Sequence, residues 1–178
     1  PEGERSLKIL ESIVLDRSLE LVYLARLLEW GWRFQKARPL SLGCRLLIRD
    51  RRRNMYVGDV SRWVLVRKTE THVLVVIPQV TVAGAAVKST PSGTVRSAYR
   101  VDFVGVIAAG PCVAQFLTEI DGPYHKKQTR QDHERTLDLN LPTLRVTEAD
   151  LTGDVMTQLL AFAVPLCTNK PRTVVRFA

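Results

Sequence analysis

Residues 99–125 read YRVDFVGVIAAGPCVAQFLTEIDGPYH. Two runs rich in β-branched and aromatic residues flank Ala108-Ala109-Gly110-Pro111, which predicts an antiparallel hairpin with strands over residues 99–107 and 113–121. In that pairing Asp102 stands roughly opposite residues 117–119. Glu119 and Asp121 are two apart, so on a regular strand both leave the same face. The hairpin is therefore expected to bring three carboxylates, Asp102, Glu119 and Asp121, to one surface.

Carboxylates within about 4–6 Å of one another raise each other's pKa, and a hard divalent cation relieves the repulsion. Mg²⁺ or Mn²⁺ prefers oxygen ligands and keeps several waters, one of which can attack a phosphodiester. The plainer alternative is that the three acids are solvated surface residues. His125, after the Gly122-Pro123 turn, is either a solvated polar residue or, beside the acids, a general acid or base with an unperturbed pKa near 6.5. Asp132 and Arg135, three apart, pair on a helix surface or brace the acids.

Working outward, residues 126–139 read as a charged-faced helix closed by Asn140, a residue that tolerates the left-handed conformation, and Pro142. Residues 143–147 read as a short strand and residues 151–164 as a final apolar helix. On the other side, residues 73–78 form a β-branched run expected to be a buried strand ending near Pro78. Residues 88–97, with Ser89, Pro91, Ser92 and Gly93, are expected to be a surface loop. Residues 58–68 suit either a helix or a strand, and the spacing of Val60, Trp63, Val64 and Arg67 favours the helix.

Residues 5–30 predict one broken or two short amphipathic helices on the spacing Leu7, Leu10, Ile13, Val14, then Leu19, Val22, Tyr23, Arg26, Leu27, Trp30, closed by Gly31. The chain has 178 residues, about one domain or one domain plus a helical extension. Its profile, 46% hydrophobic and 25% charged, excludes disordered, collagenous and disulfide-rich classes. No apolar run reaches the roughly 20 residues of a membrane span, so no membrane partner is expected. The opening Pro-Glu-Gly-Glu-Arg has no basic n-region and apolar h-region, so no secretory signal is expected, and with Met missing from position 1 an excised domain is expected. Cys44, Cys112 and Cys167 are far apart without a CxxC pair, so a reducing, cytoplasmic setting is expected.

The formal net charge is +8, from 26 Lys and Arg against 18 Asp and Glu, which favours a polyanionic partner. Residues 33–53 carry Arg33, Lys36, Arg38, Arg45, Arg49, Arg51, Arg52 and Arg53 against one acid, Asp50. Arg45, Arg49, Arg51, Arg52 and Arg53 are the candidate phosphate contacts, each steepening the salt dependence on duplex DNA by roughly 0.9 in log–log slope. Trp30, Trp32 and Phe34 either stack on bases or pack in the core.

Four motifs in order, Val101-Asp102-Phe103, then Thr118-Glu119-Ile120-Asp121-Gly122-Pro123-Tyr124-His125, then Asp132 with Arg135, then Leu144-Arg145-Val146-Thr147, resemble the PD-(D/E)XK nuclease superfamily. The similarity is to its bacterial branch allied to very-short-patch-repair endonucleases and spans roughly residues 73–165. It implies that Asp102 and Glu119 hold the catalytic metal, and that Asp121 stands where many relatives carry a Lys. That departure leaves water orientation or charge stabilisation to His125, Lys126, Lys127 or Gln128. Gln79 matches a Gln that in such nucleases ends the first core strand. It either touches the site or bonds to backbone.

The resemblance implies an α/β, restriction-endonuclease-like mixed sheet of four or five strands flanked by helices over residues 57–178, after a helical, basic extension over residues 1–56. The expected function is a Mg²⁺- or Mn²⁺-dependent DNA endonuclease, with RNA open as substrate. The alternative is a catalytically silent nuclease-fold module binding DNA or RNA in a transposition, defence or RNA-processing complex. One active site cuts one strand, so double-strand cleavage requires a homodimer or a larger complex.

Overall fold

A computed structural model describes residues 5–6, 8–10, 18–36, 63–91, 93–122, 134–135 and 137–168. Helix α1 (Ser18–Glu29) is followed by strands β1 (Arg33–Lys36), β2 (Trp63–Lys68), β3 (Val73–Thr90), β4 (Gly93–Ala109), β5 (Cys112–Asp121) and β6 (Thr143–Thr147). Helices α2 (Glu148–Thr152) and α3 (Val155–Thr168) close the described chain. The result is a mixed α/β structure. One six-stranded sheet runs in the order β1-β2-β3-β4-β5-β6, antiparallel from β1 to β5 and parallel between β5 and β6.

The hairpin expected over residues 99–121 forms. Gly110 lies at φ +54 between the paired residues Ala109 and Cys112, a conformation that glycine adopts without strain. Gly105 of β4 faces Phe116 of β5, whose ring occupies the space a Cβ would need. Asn140 takes φ +49 after the helical residues 137–139, and β6 follows as expected.

Six expectations are corrected. The sheet has six strands, because Arg33-Phe34-Gln35-Lys36 forms an edge strand on which only Phe34 turns partly inward. Residues 63–68 are a strand and not a helix: Val64, Leu65 and Val66 are buried in succession, as a strand covered on both faces requires and one helical stripe does not allow. β3 does not end at Pro78 but runs on to Thr90. Its pairing with β2 stops at Val76, so the missing Pro N–H breaks no bond to that neighbour.

Residues 88–97 are likewise not a loop. They belong to β3 and β4, and the partners Thr90 and Gly93 leave only residues 91–92 as the connection. The apolar helix expected over residues 151–164 is two helices. Thr147 and Asp150 form a capping box on α2, Gly153 ends it, and the Asp154 carboxylate then accepts from Thr157 N at 2.9 Å to start α3.

α1 also presents a different face from the one expected. Its buried residues are Glu20, Tyr23, Leu24 and Leu27, while Leu21, Val22 and Trp30 are exposed. Tyr23, Leu24, Leu27 and Trp32 join Leu65, Leu74, Phe103, Phe116, Ile120, Val155, Met156 and Leu159 in one core. Trp32 Nε1 donates to Met156 Sδ at 3.2 Å and Arg26 Nε to Leu151 O at 3.1 Å, tying α1 and its following turn to the C-terminal helices. Val64, Val66, Ile77, Val80, Val101, Val104, Leu117 and Leu139 form a second core. Trp32 and Phe34 therefore pack in the protein, and Trp30 is 47% exposed.

Candidate active site

The site is a row running across four strands. Pro78 pairs with Phe103 and Val80 with Val101, so Gln79 and Asp102 lie at one level between them. Phe103 pairs with Thr118, which sets Asp102 beside Glu119, as the hairpin reading expected. Glu119 in turn pairs with Arg145 on β6. Neighbouring strands are about 4.8 Å apart, so Gln79, Asp102, Glu119 and Arg145 follow one another at that interval.

A break in strand alternation marks the row. Ile77 and Val80, three apart, both enter the second core, and so do Val101 and Val104. On a regular strand such residues face opposite sides. The slip falls where Gln79 adopts φ +52, a left-handed conformation costly for a side chain with a Cβ.

The side chains around the row are tightly engaged. Asp102 Oδ2 accepts from Ile120 N at 2.8 Å. Arg135 donates to Glu119, and Arg145 Nη1 lies 3.2 Å from both Asp121 oxygens. Burial pushes the Glu119 carboxyl up to about 7. The bonded Arg135 charge and Arg145 oppose that rise, while Asp102 adds to it. A carboxyl so placed is only half ionised near neutral pH, and an added cation would restore its charge.

Asp102 and Glu119 are thus brought together with Arg135 and Gln79. Asp121 shares the Glu119 face but is turned to Arg145. Among the described residues no three His, Cys, Asp or Glu side chains stand close enough to hold a metal ion. Asp102 and Glu119, neighbours in register on β4 and β5, carry the carboxylate oxygens that a hard cation keeping most of its waters takes. His125, Lys126, Lys127, Gln128 and Asp132, and the basic residues Arg45, Arg49, Arg51, Arg52 and Arg53, lie outside the described residues.

Gln79 neither ends its strand nor bonds to backbone. Its Nε2 donates to Glu20 Oε2 at 2.6 Å, and its Oε1 accepts from Arg100 Nε at 2.6 Å. Glu20, fully buried in the first turn of α1, escaped the sequence reading. The available signal was its place in the stripe 20, 23, 24, 27, where an acid interrupts apolar residues at helical spacing. A buried carboxylate is retained only with polar partners. Here the chain Glu20–Gln79–Arg100 reaches the row from the α1 side.

No family model, curated protein or solved structure matches this chain.

Proposed function

We propose that the protein is a metal-dependent DNA endonuclease of the restriction-endonuclease-like type. The observation that carries the reading is the adjacency of Asp102 and Glu119 on β4 and β5, with Glu119 raised to about 7 beside two arginines. Supporting it are the motif order that resembles PD-(D/E)XK nucleases and the net charge of +8, which suits a polyanion.

Asp102 and Glu119 would hold Mg²⁺ or Mn²⁺. When bound, the cation supplies Lewis acidity and a nucleophile generated from water. The chain's own residues do the rest. The Ile120 N–H fixes the Asp102 carboxylate, and Arg135 fixes Glu119 and limits its protonation. Arg145 holds Asp121 and adds positive charge at the end of the row where an anionic substrate would approach. His125, Lys127 and Gln128 remain candidates for orienting water or stabilising charge, with Asp132 as a brace. Arg45, Arg49, Arg51, Arg52 and Arg53 are the candidate contacts to the nucleic-acid backbone.

The deciding experiment is nicking of supercoiled plasmid, and cleavage of labelled single-stranded DNA and RNA, with Mg²⁺, Mn²⁺ or EDTA. Asp102→Asn and Glu119→Gln should abolish cleavage and leave binding intact or tighter. Full cleavage by either variant sinks the assignment. The second reading is a silent module that binds DNA or RNA, as a homodimer or within a larger complex. It is favoured by the arginine pairing of both Glu119 and Asp121. Absence of cleavage with either metal, together with salt-sensitive binding, would establish it.

A further inference from the structure

β3 and β4 outrun the sheet. β2 pairs with β3 only up to Val76, and β5 pairs with β4 only from Phe103 onward. Beyond those points β3 and β4 continue to pair with each other, from Val80↔Val101 to Thr90↔Gly93. Among the described residues no other strand joins them there. This two-stranded ribbon leaves the sheet at Gln79 and Asp102, next to the row that ends at Arg145. At roughly 3.3 Å per residue, the nine residues of its β4 side span about 30 Å, counted from Val101, which with Val80 still packs in the second core.

Its sequence is charged in one sense only. Residues 80–101 contain Lys88, Arg96 and Arg100 and no Asp or Glu, in a chain that otherwise carries 18 acids. The register shifts between Ala83 and Val87, where three β3 residues face one on β4. Such a bulge bends a ribbon and raises its twist. Gly84 lies in the bulge, as is common where a strand kinks or another backbone comes close.

We propose that this ribbon is an arm that enters the major groove of a B-form DNA duplex and holds it against the carboxylate row. The inference rests on the phosphodiesterase reading of that row and extends it to the substrate class. The DNA major groove, about 12 Å wide, admits a two-stranded β-ribbon. Thirty ångströms is close to one helical turn. The deep, narrow major groove of A-form RNA excludes such an arm, so the ribbon selects DNA over duplex RNA. Absence of acids along the arm removes repulsion from phosphates on both groove walls.

The test is fluorescence anisotropy of a labelled 30-base-pair DNA duplex, and of the same sequence as RNA duplex, with the full chain in EDTA over a salt series. Three proteins are compared: the native chain, the double variant Lys88→Ala with Arg96→Ala, and a ribbon excision. The excision replaces residues 84–97 by Asn-Gly, joining the register partners Ala83 and Ala98 through a two-residue hairpin turn. Urea unfolding confirms that each variant is folded.

The native chain should bind the DNA duplex at least tenfold more tightly than the RNA duplex. Both variants should lose at least tenfold in DNA affinity. The log–log salt slope of the double variant should fall by about 1.8, or 0.9 for each lost phosphate contact. Native-like binding by folded variants overturns the proposal, as does equal binding of RNA or no binding by the native chain. A native dimer that the excision converts to monomer with DNA binding unchanged also overturns it, because the ribbon edges then serve a second copy. EDTA keeps the two readings separate. Ribbon-dependent binding without cleavage in Mg²⁺ or Mn²⁺ removes the enzyme reading alone, and cleavage without ribbon dependence removes the arm alone.

Discussion

Over residues 73–76, β3 lies between β2 and β4, with Leu74 and Val76 fully buried in the core that also receives Tyr23 and Phe103. From Val80 onward the same strand has, among the described residues, β4 alone beside it. The composition changes at the same point, from Val-Leu-Val-Val-Ile to a stretch of Ala, Gly, Ser and Thr with scattered Val. The embedded half is paired with strands on both sides, while the projecting half pairs only with its hairpin partner and keeps Val80 and Val101 in the second core at its base. The Asp102–Glu119 row sits at the seam between them.

Three substitutions or conditions probe that contrast, in falling order of effect. Phe103→Ala removes a fully buried ring whose centroid lies 4.9 Å from that of Tyr23. It should cost about 3–5 kcal/mol in urea unfolding. A loss below about 1 kcal/mol would show that α1 is not anchored through this contact.

At the seam, Glu119 is raised from 4.5 to about 7 in the folded chain, so the fold keeps a proton that the unfolded chain releases. Between those values the unfolded chain binds fewer protons, and stability falls as pH rises, levelling off above about 7. The decline amounts to at most about 3 kcal/mol. Glu119→Gln should flatten it when urea midpoints at pH 5 and pH 8 are compared in EDTA. An unchanged slope in the variant would assign the proton elsewhere.

In the projecting half, replacing residues 84–97 by Asn-Gly should change stability by no more than about 1 kcal/mol, because no described residue of the first or second core is removed. A large loss would mean that the ribbon folds back on the body.

How far each part was legible follows the same division. The β4–β5 hairpin and β6 could be read because each is a short apolar run with its own turn chemistry at Gly110 and Asn140. The Asp102–Glu119 adjacency followed from that hairpin alone. β2 was misread because burial on both faces erases alternation and leaves a short run that also fits a helix. The ribbon was misread because Ser, Pro and Gly mark a turn without stating its length, and two residues suffice here. Glu20 was hidden by a choice of stripe: Leu19, Val22 and Trp30 have helical spacing too, and only packing against the sheet selects 20, 23, 24 and 27.

The row also has a history within each molecule. Asp102 and Glu119 meet through a hairpin with a two-residue connection, a local event with little loop-closure entropy to overcome. Ile120 and Arg135, their bonded partners, lie 18 and 16 residues away, but other neighbours of the row come from farther along the chain. Arg145 reaches Glu119 only after β6 docks parallel to β5. Glu20 reaches Gln79 across 59 residues, and α1 and the turn after it are tied down by bonds to Leu151 and Met156 across 125 and 124 residues. Contacts of such separation are slow to form. The carboxylate pair is thus a local product of the hairpin, whereas β6 and α1 join it through contacts of long sequence separation. The row is complete only when α1 and β6 have both docked on the sheet.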